Sequence, residues 1–230
     1  MAITEAGCSI VKPGIDVMDE STSEGQILLT IWKGVTSQPT GPYRVFWGTE
    51  VEKPSNLWGF FDFASVEEHE KFAKEFAGPI VKDFPKILAG HHFTKHLNLT
   101  PYPHTALRAP VTEILLVWFP SDITQEAKDA ATKQVKQFTD VCLRDCADIQ
   151  AIDLGWGIEN DFPVRDGEEG QKGSILTGML GWSSIDAHMQ FRETDTFKNN
   201  IHLLKELESV IKMTMFHVKS RVMENETRKE

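Results

Sequence analysis

A chain of 230 residues, 40% hydrophobic and 25% charged, has an ordinary globular composition. At this length about 70% of the unfolded surface can be buried, so no disulfide framework is needed. The net charge of −10 argues against a nucleic-acid partner and against an anionic membrane surface, leaving a small, neutral or weakly polar molecule as the simplest ligand. No run reaches the ~18 apolar residues that span a bilayer, and the first residues show neither a basic leader nor a long apolar core. A cytoplasmic location is expected.

In chain order, residues 3–11 form a strand closed by Lys12-Pro13-Gly14. Ser21-Thr22-Ser23-Glu24 is a capping box with Ser21 as N-cap, and Leu28, Ile31, Trp32 and Val35 then mark one helix face. Residues 43–50 and 56–63 read as two strands. Ser65-Val66-Glu67-Glu68 caps a second helix with His69, Phe72 and Phe76 inward, broken at Gly78-Pro79, and residues 89–99 close the unit as a fourth strand. After the Pro-rich connector 100–110 the order repeats. Strand 111–119, a helix over 124–146, strands 149–158 and 174–182, a helix over 185–207 broken near Asp195, and strand 210–219 follow. The polar stretch 159–173 is the longest irregular segment. Cys142 and Cys146 share a face of the 124–146 helix and, with Cys8, read as free thiols.

The repeat is visible residue by residue. Thr4-Glu5 matches Thr112-Glu113, the segment from Phe63 to His69 matches that from Trp182 to His188, and His96-Leu97 matches His217-Val218. The offsets of 108, 119 and 121 place insertions in the second copy. Two βαββαβ units result, at 1–104 and 105–230. Trp58-Gly59-Phe60-Phe61-Asp62-Phe63 and Ile114-Leu115-Leu116-Val117-Trp118-Phe119 are apolar on both faces and so need cover on both. Helices cover one face of each sheet. The fold class expected is therefore α+β, two tandem ferredoxin-like repeats packed sheet to sheet as an internal, pseudo-dimeric α/β barrel.

The phrase Trp182-Ser183-Ser184-x-x-x-His188, its weaker copy Phe63-Ala64-Ser65-x-x-x-His69, and the late-strand histidines His96 and His217 carry a resemblance. The chain resembles the dimeric α/β-barrel superfamily of antibiotic-biosynthesis-monooxygenase type, in particular its duplicated fungal members. That resemblance implies the fold more than the reaction, since such proteins include cofactor-independent oxygenases, cyclases, isomerases, decarboxylases and haem-degrading enzymes.

Among the histidines, His69 and His188 sit in the first turn of equivalent helices, where a ring could serve as general acid or base in a barrel cavity or simply pin helix to sheet. Strict alternation along 89–99 turns His92 and His96 one way and His91 the other, making His92 and His96 further catalytic candidates. A metal site lacks a third ligand at suitable spacing. Tyr43, Trp47, Trp58, Trp156, Trp182 and His217 are the candidate substrate-binding residues, with Arg44 left outside or at a rim. No P-loop, dinucleotide fingerprint or nucleophile elbow occurs, so no cofactor is expected. The expected activity is proton transfer on an apolar polyketide- or terpenoid-like molecule, giving cyclisation, isomerisation or decarboxylation. The alternatives are a monooxygenase, cofactor-independent or haem-dependent, and a non-catalytic binding barrel. A homodimer is compatible with either.

Overall fold

A computed structural model describes residues 2–229. The chain divides into two compact units, one built from the residues up to Asn98 together with the tail from Val218, the other from Leu99–His217. The tail thus belongs to the first unit, whereas a division of the sequence at residue 104 assigns it to the second.

In the first unit the elements are β1 (Ile3–Val11), α1 (Ser23–Thr36), β2 (Arg44–Thr49), β3 (Asn56–Phe63), α2 (Val66–Phe72), the short helices α3 (Gly78–Val81) and α4 (Phe84–Ile87), and β4 (Leu88–Thr100). A π-helical turn, Ala73–Ala77, joins α2 to α3, so the helix is deformed before Gly78-Pro79 rather than cut there. The second unit holds β5 (Val111–Phe119), α5 (Gln125–Cys142), β6 (Ile149–Gly157), β7 (Phe162–Pro163), β8 (Lys172–Trp182), α6 (Ile185–Arg192), α7 (Asp195–Asn200), α8 (His202–Lys205) and β9 (Lys212–Val218), and β10 (Arg221–Glu224) lies in the tail. Strand order is β10-β2-β3-β1-β4 in the first unit and β6-β8-β5-β9 in the second. Apart from the added β10, both are the 2-3-1-4 order of a ferredoxin-like unit.

Each unit packs its helices on one face of its sheet. Ile3, Val11, Leu28, Trp32, Val45, Trp47 and Phe63 anchor the first helix-side core, and Val111, Val117, Phe119, Val135, Phe138 and Trp182 the second. The opposite sheet faces are buried as well, by Phe46, Trp58 and Phe60 in the first unit and by Ile114, Leu116, Trp118 and Met179 in the second. Burial of both faces is what the doubly apolar strands demand.

Three local expectations need correction. Thr22, not Ser21, is the N-cap of α1, since its hydroxyl accepts from the Gly25 amide at 3.1 Å. Helix α5 ends at Cys142, so Cys146 lies beyond it and the two thiols share no helix face; burial pushes the Cys142 thiol pKa up. Arg44 is buried, not at a rim, and pairs with Asp62 at 3.2 Å and Glu224 at 3.1 Å. Among the described residues no helix is long and apolar enough to cross a membrane.

Candidate functional site

Helix α2 begins where Ser65, in extended conformation, accepts from the Glu68 amide at 3.3 Å, while the Glu68 carboxylate accepts from the Ala64 amide at 3.2 Å. This reciprocal cap sets His69 in the first turn, against the sheet. Glu5 on β1 and His96 on β4 are register neighbours. His69 bridges to both, with Nδ1 at 2.7 Å from His96 Nε2 and Nε2 at 2.9 Å from Glu5 Oε2. If the Nε2–H donates to Glu5, the neutral His69 ring must accept at Nδ1 from His96 Nε2–H, so the network fixes both tautomers. The inner bond survives protonation of His69 only when the His96 proton moves to its own Nδ1, so that Nε2 can accept.

The second unit repeats this chain. Ser184 caps α6 by accepting from the Ala187 amide at 3.0 Å, and His188 Nδ1 lies 2.8 Å from His217 Nε2 and its Nε2 3.3 Å from Glu113 Oε2. One difference is chemical. Trp182 stacks on His188, centroids 4.7 Å apart at 24°, and its indole N–H donates to Glu113 at 3.1 Å. The equivalent Phe63 lies 5.0 Å from His69, tilted by 47°, and has no hydrogen to donate. The His188 side chain is 3% exposed against 15% for His69.

Each Glu–His pair lines a cavity between the helices and the sheet of its own unit, not one on the opposite sheet face where a barrel interior would lie. The first cavity, about 720 Å³, is walled mainly by apolar side chains such as Trp32, Phe61, Phe72 and Phe84, with Glu5 and His69 in the wall. The second, about 470 Å³, takes in Glu113, Leu115, Trp182 and His188.

Strand β4 departs from simple alternation. Opposite Cys8 and Ser9 it carries a bulge, so Phe93 pairs with Cys8 and His91 with Ser9, and His92 is the extra residue. His91, Thr94 and His96 therefore share the helix-side face, which corrects the alternating assignment; His96 is buried, while His91, His92 and Thr94 are exposed. His91 lines the first cavity with Nδ1 at 3.0 Å from Ser9 Oγ and Nε2 at 2.8 Å from Thr94 Oγ1. Burial first, and the neighbouring His92 second, hold its pKa below the usual histidine value.

Of the other expected residues, Trp182 lines the second cavity, and His217 holds His188 from behind. Tyr43, Trp47, Trp58 and Trp156 line neither of these two cavities. Tyr43 lies under the Arg228 guanidinium at 3.9 Å, and Trp47 packs in the core 6.4 Å from Trp32. The Trp58 indole donates to Glu50 at 2.8 Å, and that of Trp156 to Thr132 at 2.9 Å. Glu5, Glu113, Ser9, His91 and Thr94 join the site only through the fold. The Thr-Glu pair that recurs in β1 and β5 is the sequence signal for the two carboxylates.

Among the described residues no group of three or more His, Cys, Asp or Glu is placed to hold a metal ion. For a haem, the fit is poor. His69, His188 and His91 each have both ring nitrogens engaged by protein partners, so none offers iron a lone pair without breaking those bonds.

Two ferredoxin-like units in one chain are a fold that solved structures share. The particular likenesses run over nearly its whole length. An anthrone oxidase-like protein matches at 13% identity and TM-score 0.67, covering 98% of this chain and 94% of that one. A candidate monooxygenase from Fusobacterium nucleatum subsp. nucleatum matches at 11% and 0.62, covering 97% and 94%. One from Lactobacillus acidophilus NCFM matches at 10% and 0.59, covering 97% and 96%. These identities speak to the fold alone. No protein-family model matches the chain, and no curated relative does.

Proposed function

We propose that the chain is an enzyme that binds an apolar, polyketide- or terpenoid-like small molecule and moves a proton on it, without a nucleotide cofactor, to cyclise, isomerise or decarboxylate it. The observation that carries this is the Glu5–His69–His96 chain set in the wall of a cavity otherwise made of apolar side chains. Such a wall excludes water and fixes the ligand's shape, and the carboxylate–imidazole pair supplies the polar group where charge changes. A carbon acid next to a carbonyl, or a phenol, gives its proton to the Glu5 carboxylate, which the His69 N–H holds in place at 2.9 Å. His96 orients His69 through the 2.7 Å bond, and the same proton returns from Glu5 to the product.

Two tests apply. A native mass spectrum of the protein from its own source, set beside a denatured one, is expected to show a retained aromatic or polyketide-sized mass. With that compound as substrate, Glu5→Gln and His69→Ala are expected to lower turnover by about 10²–10⁴-fold. Turnover at the unmodified rate in both variants rejects the reading.

Cofactor-independent oxygenation is the second reading, favoured by the full-length likeness to an anthrone oxidase-like protein. The same base would generate a carbanion for dioxygen to attack, so substrate-dependent oxygen uptake separates the two. A non-catalytic binding protein is the third reading, and a retained ligand that the protein never turns over would favour it.

A further inference from the structure

The two copies have kept the same proton-holding chain but not the same cavity. On β1 the helix-side residues after Glu5 are Gly7 and Ser9, and in the second copy, at the offset of 108, the same places hold Leu115 and Val117. Gly7 faces Gly59 across the ladder and both line the first cavity, but the Phe61 ring lies over Gly59, so the bare backbone there is that of Gly7. The second copy retains the partner glycine, Gly178, but sets Leu115 beside it, with the leucine side chain in its smaller cavity.

Backbone packing does not demand glycine at position 7. A Cβ added there would meet nothing closer than 3.8 Å, and such a residue in a strand interior costs about 0.5–1 kcal/mol relative to alanine. Glycine in a strand without a local steric cause marks a place where something else approaches the backbone. Beyond this bare floor stands a second polar group. Ser9 and Thr94 are each hydrogen-bonded to His91 at the exposed side of the cavity wall, and the bulge at His92 is what brings His91 round to it. Four residues of strand separate Ser9 from Glu5, a span of about 13 Å.

We propose that the first unit's cavity takes an elongated, flat, apolar ligand bearing a hydrogen-bonding oxygen at each end, the inner one at Glu5–His69, the outer one at Ser9–His91–Thr94, with its ring plane over Gly7 beside the Phe61 ring. The second unit, with Leu115 on the floor and Val117 in place of the serine, does not take this ligand and keeps its Glu–His–His chain as a clamp between α6 and its sheet. This rests on the reading of the first cavity as a small-molecule site and adds the ligand's length, its two poles and the choice of unit.

The test is titration of the full chain with 2,6-dihydroxyanthraquinone, whose hydroxyls stand at opposite ends of a rigid three-ring plane, and with 2-hydroxyanthraquinone, which keeps only one. Calorimetry is expected to give one site per chain, with the dihydroxy compound about tenfold tighter, the worth of one good hydrogen bond. Gly7→Leu is expected to abolish binding, and Ser9→Val to remove the preference between the two compounds while circular dichroism and Tm stay unchanged. Ser9→Val keeps the question open to refutation should Gly7→Leu fold poorly. Two equivalent sites per chain, or a preference untouched by Ser9→Val, overturns the proposal and leaves the proton-transfer reading standing. Binding of neither compound overturns the proposal and the small-molecule site together. Loss of catalysis in Glu5→Gln with binding of these probes intact bears on the proton transfer alone.

Discussion

At the scale of single residues, the buried polar groups divide by how completely they are paired. Glu113 accepts from the Trp182 indole as well as facing His188, and the whole group is buried. Trp182→Phe removes that donor while conserving most of the ring volume, and a buried acceptor that loses a partner costs about 1–3 kcal/mol. Urea unfolding is expected to show a loss in this range, and an unchanged midpoint would mean the indole bond adds nothing. His91 gives a pH dependence. Its pKa is lowered in the folded protein, chiefly by burial, so the unfolded chain takes up its proton first as pH falls. Above the ordinary value near 6.5 both states are neutral and the contribution of His91 to stability is complete; below it, stability drops until the folded-state pKa is passed. Between pH 7.5 and pH 5.5 the Tm of the parent protein is expected to fall further than that of His91→Gln. Equal falls would show that the ring titrates alike in both states.

At the scale of elements, the signals legible in the sequence are those whose cause is local. The cap sequences opening α2 and α6 specify themselves through one hydroxyl and one amide each, Ser65 with Glu68 and Ser184 with Ala187. Ser65→Ala and Ser184→Ala are each expected to cost about 1 kcal/mol in chemical denaturation. Because α2 carries His69, Ser65→Ala should also weaken whatever turnover depends on that ring, an effect that stabilising co-solvent restores if the cap only holds the helix. The doubly apolar runs of β3 and β5 likewise announced burial on both faces. Strand β4 was different. Alternation sent His91 away from His96, but the bulge at His92 depends on pairing with β1, across more than eighty residues of chain, and no pattern within 89–99 reports it. The histidines of the site were legible because they recur in both copies. Their carboxylate partners recur too, yet Glu5 and Glu113 are strand residues with no neighbour in sequence to suggest chemistry, and only the fold sets them against His69 and His188. The tryptophans misled for a related reason. A strand faces two ways, and nothing in the sequence distinguishes a wall of an open cavity, where Trp182 stands, from the filled core that holds Trp47 or the opposite sheet face that holds Trp58.

At the scale of the molecule, the first unit is closed by the end of the chain. Strand β10 pairs with β2 in register from Arg221 opposite Trp47 to Glu224 opposite Arg44, and so covers what would otherwise be the free edge of that sheet. The residues after it continue the seal. The Asn225 amide donates to Tyr43 and its side chain to the Gln38 carbonyl, both at 2.8 Å, while Arg228 lies over the Tyr43 ring and pairs with Glu68 at the start of α2. One short tail therefore fastens the edge strand, the end of α1 and the helix that carries His69. A chain stopped after Lys219 loses both Asn225 hydrogen bonds, at about 1 kcal/mol each net, and leaves Arg44 buried with one acidic partner fewer, so a destabilisation of at least about 2 kcal/mol is expected. It also bares the hydrogen-bonding edge of β2, and light scattering should find larger species at concentrations where the full chain gives one. Arg228→Ala separates the two effects, because it loosens the hold on α2 while β10 still covers the edge. It should lower stability without promoting association. If the shortened chain stays as stable and as small as the full one, the tail is an appendage, and the first unit is complete in its amino-terminal residues alone.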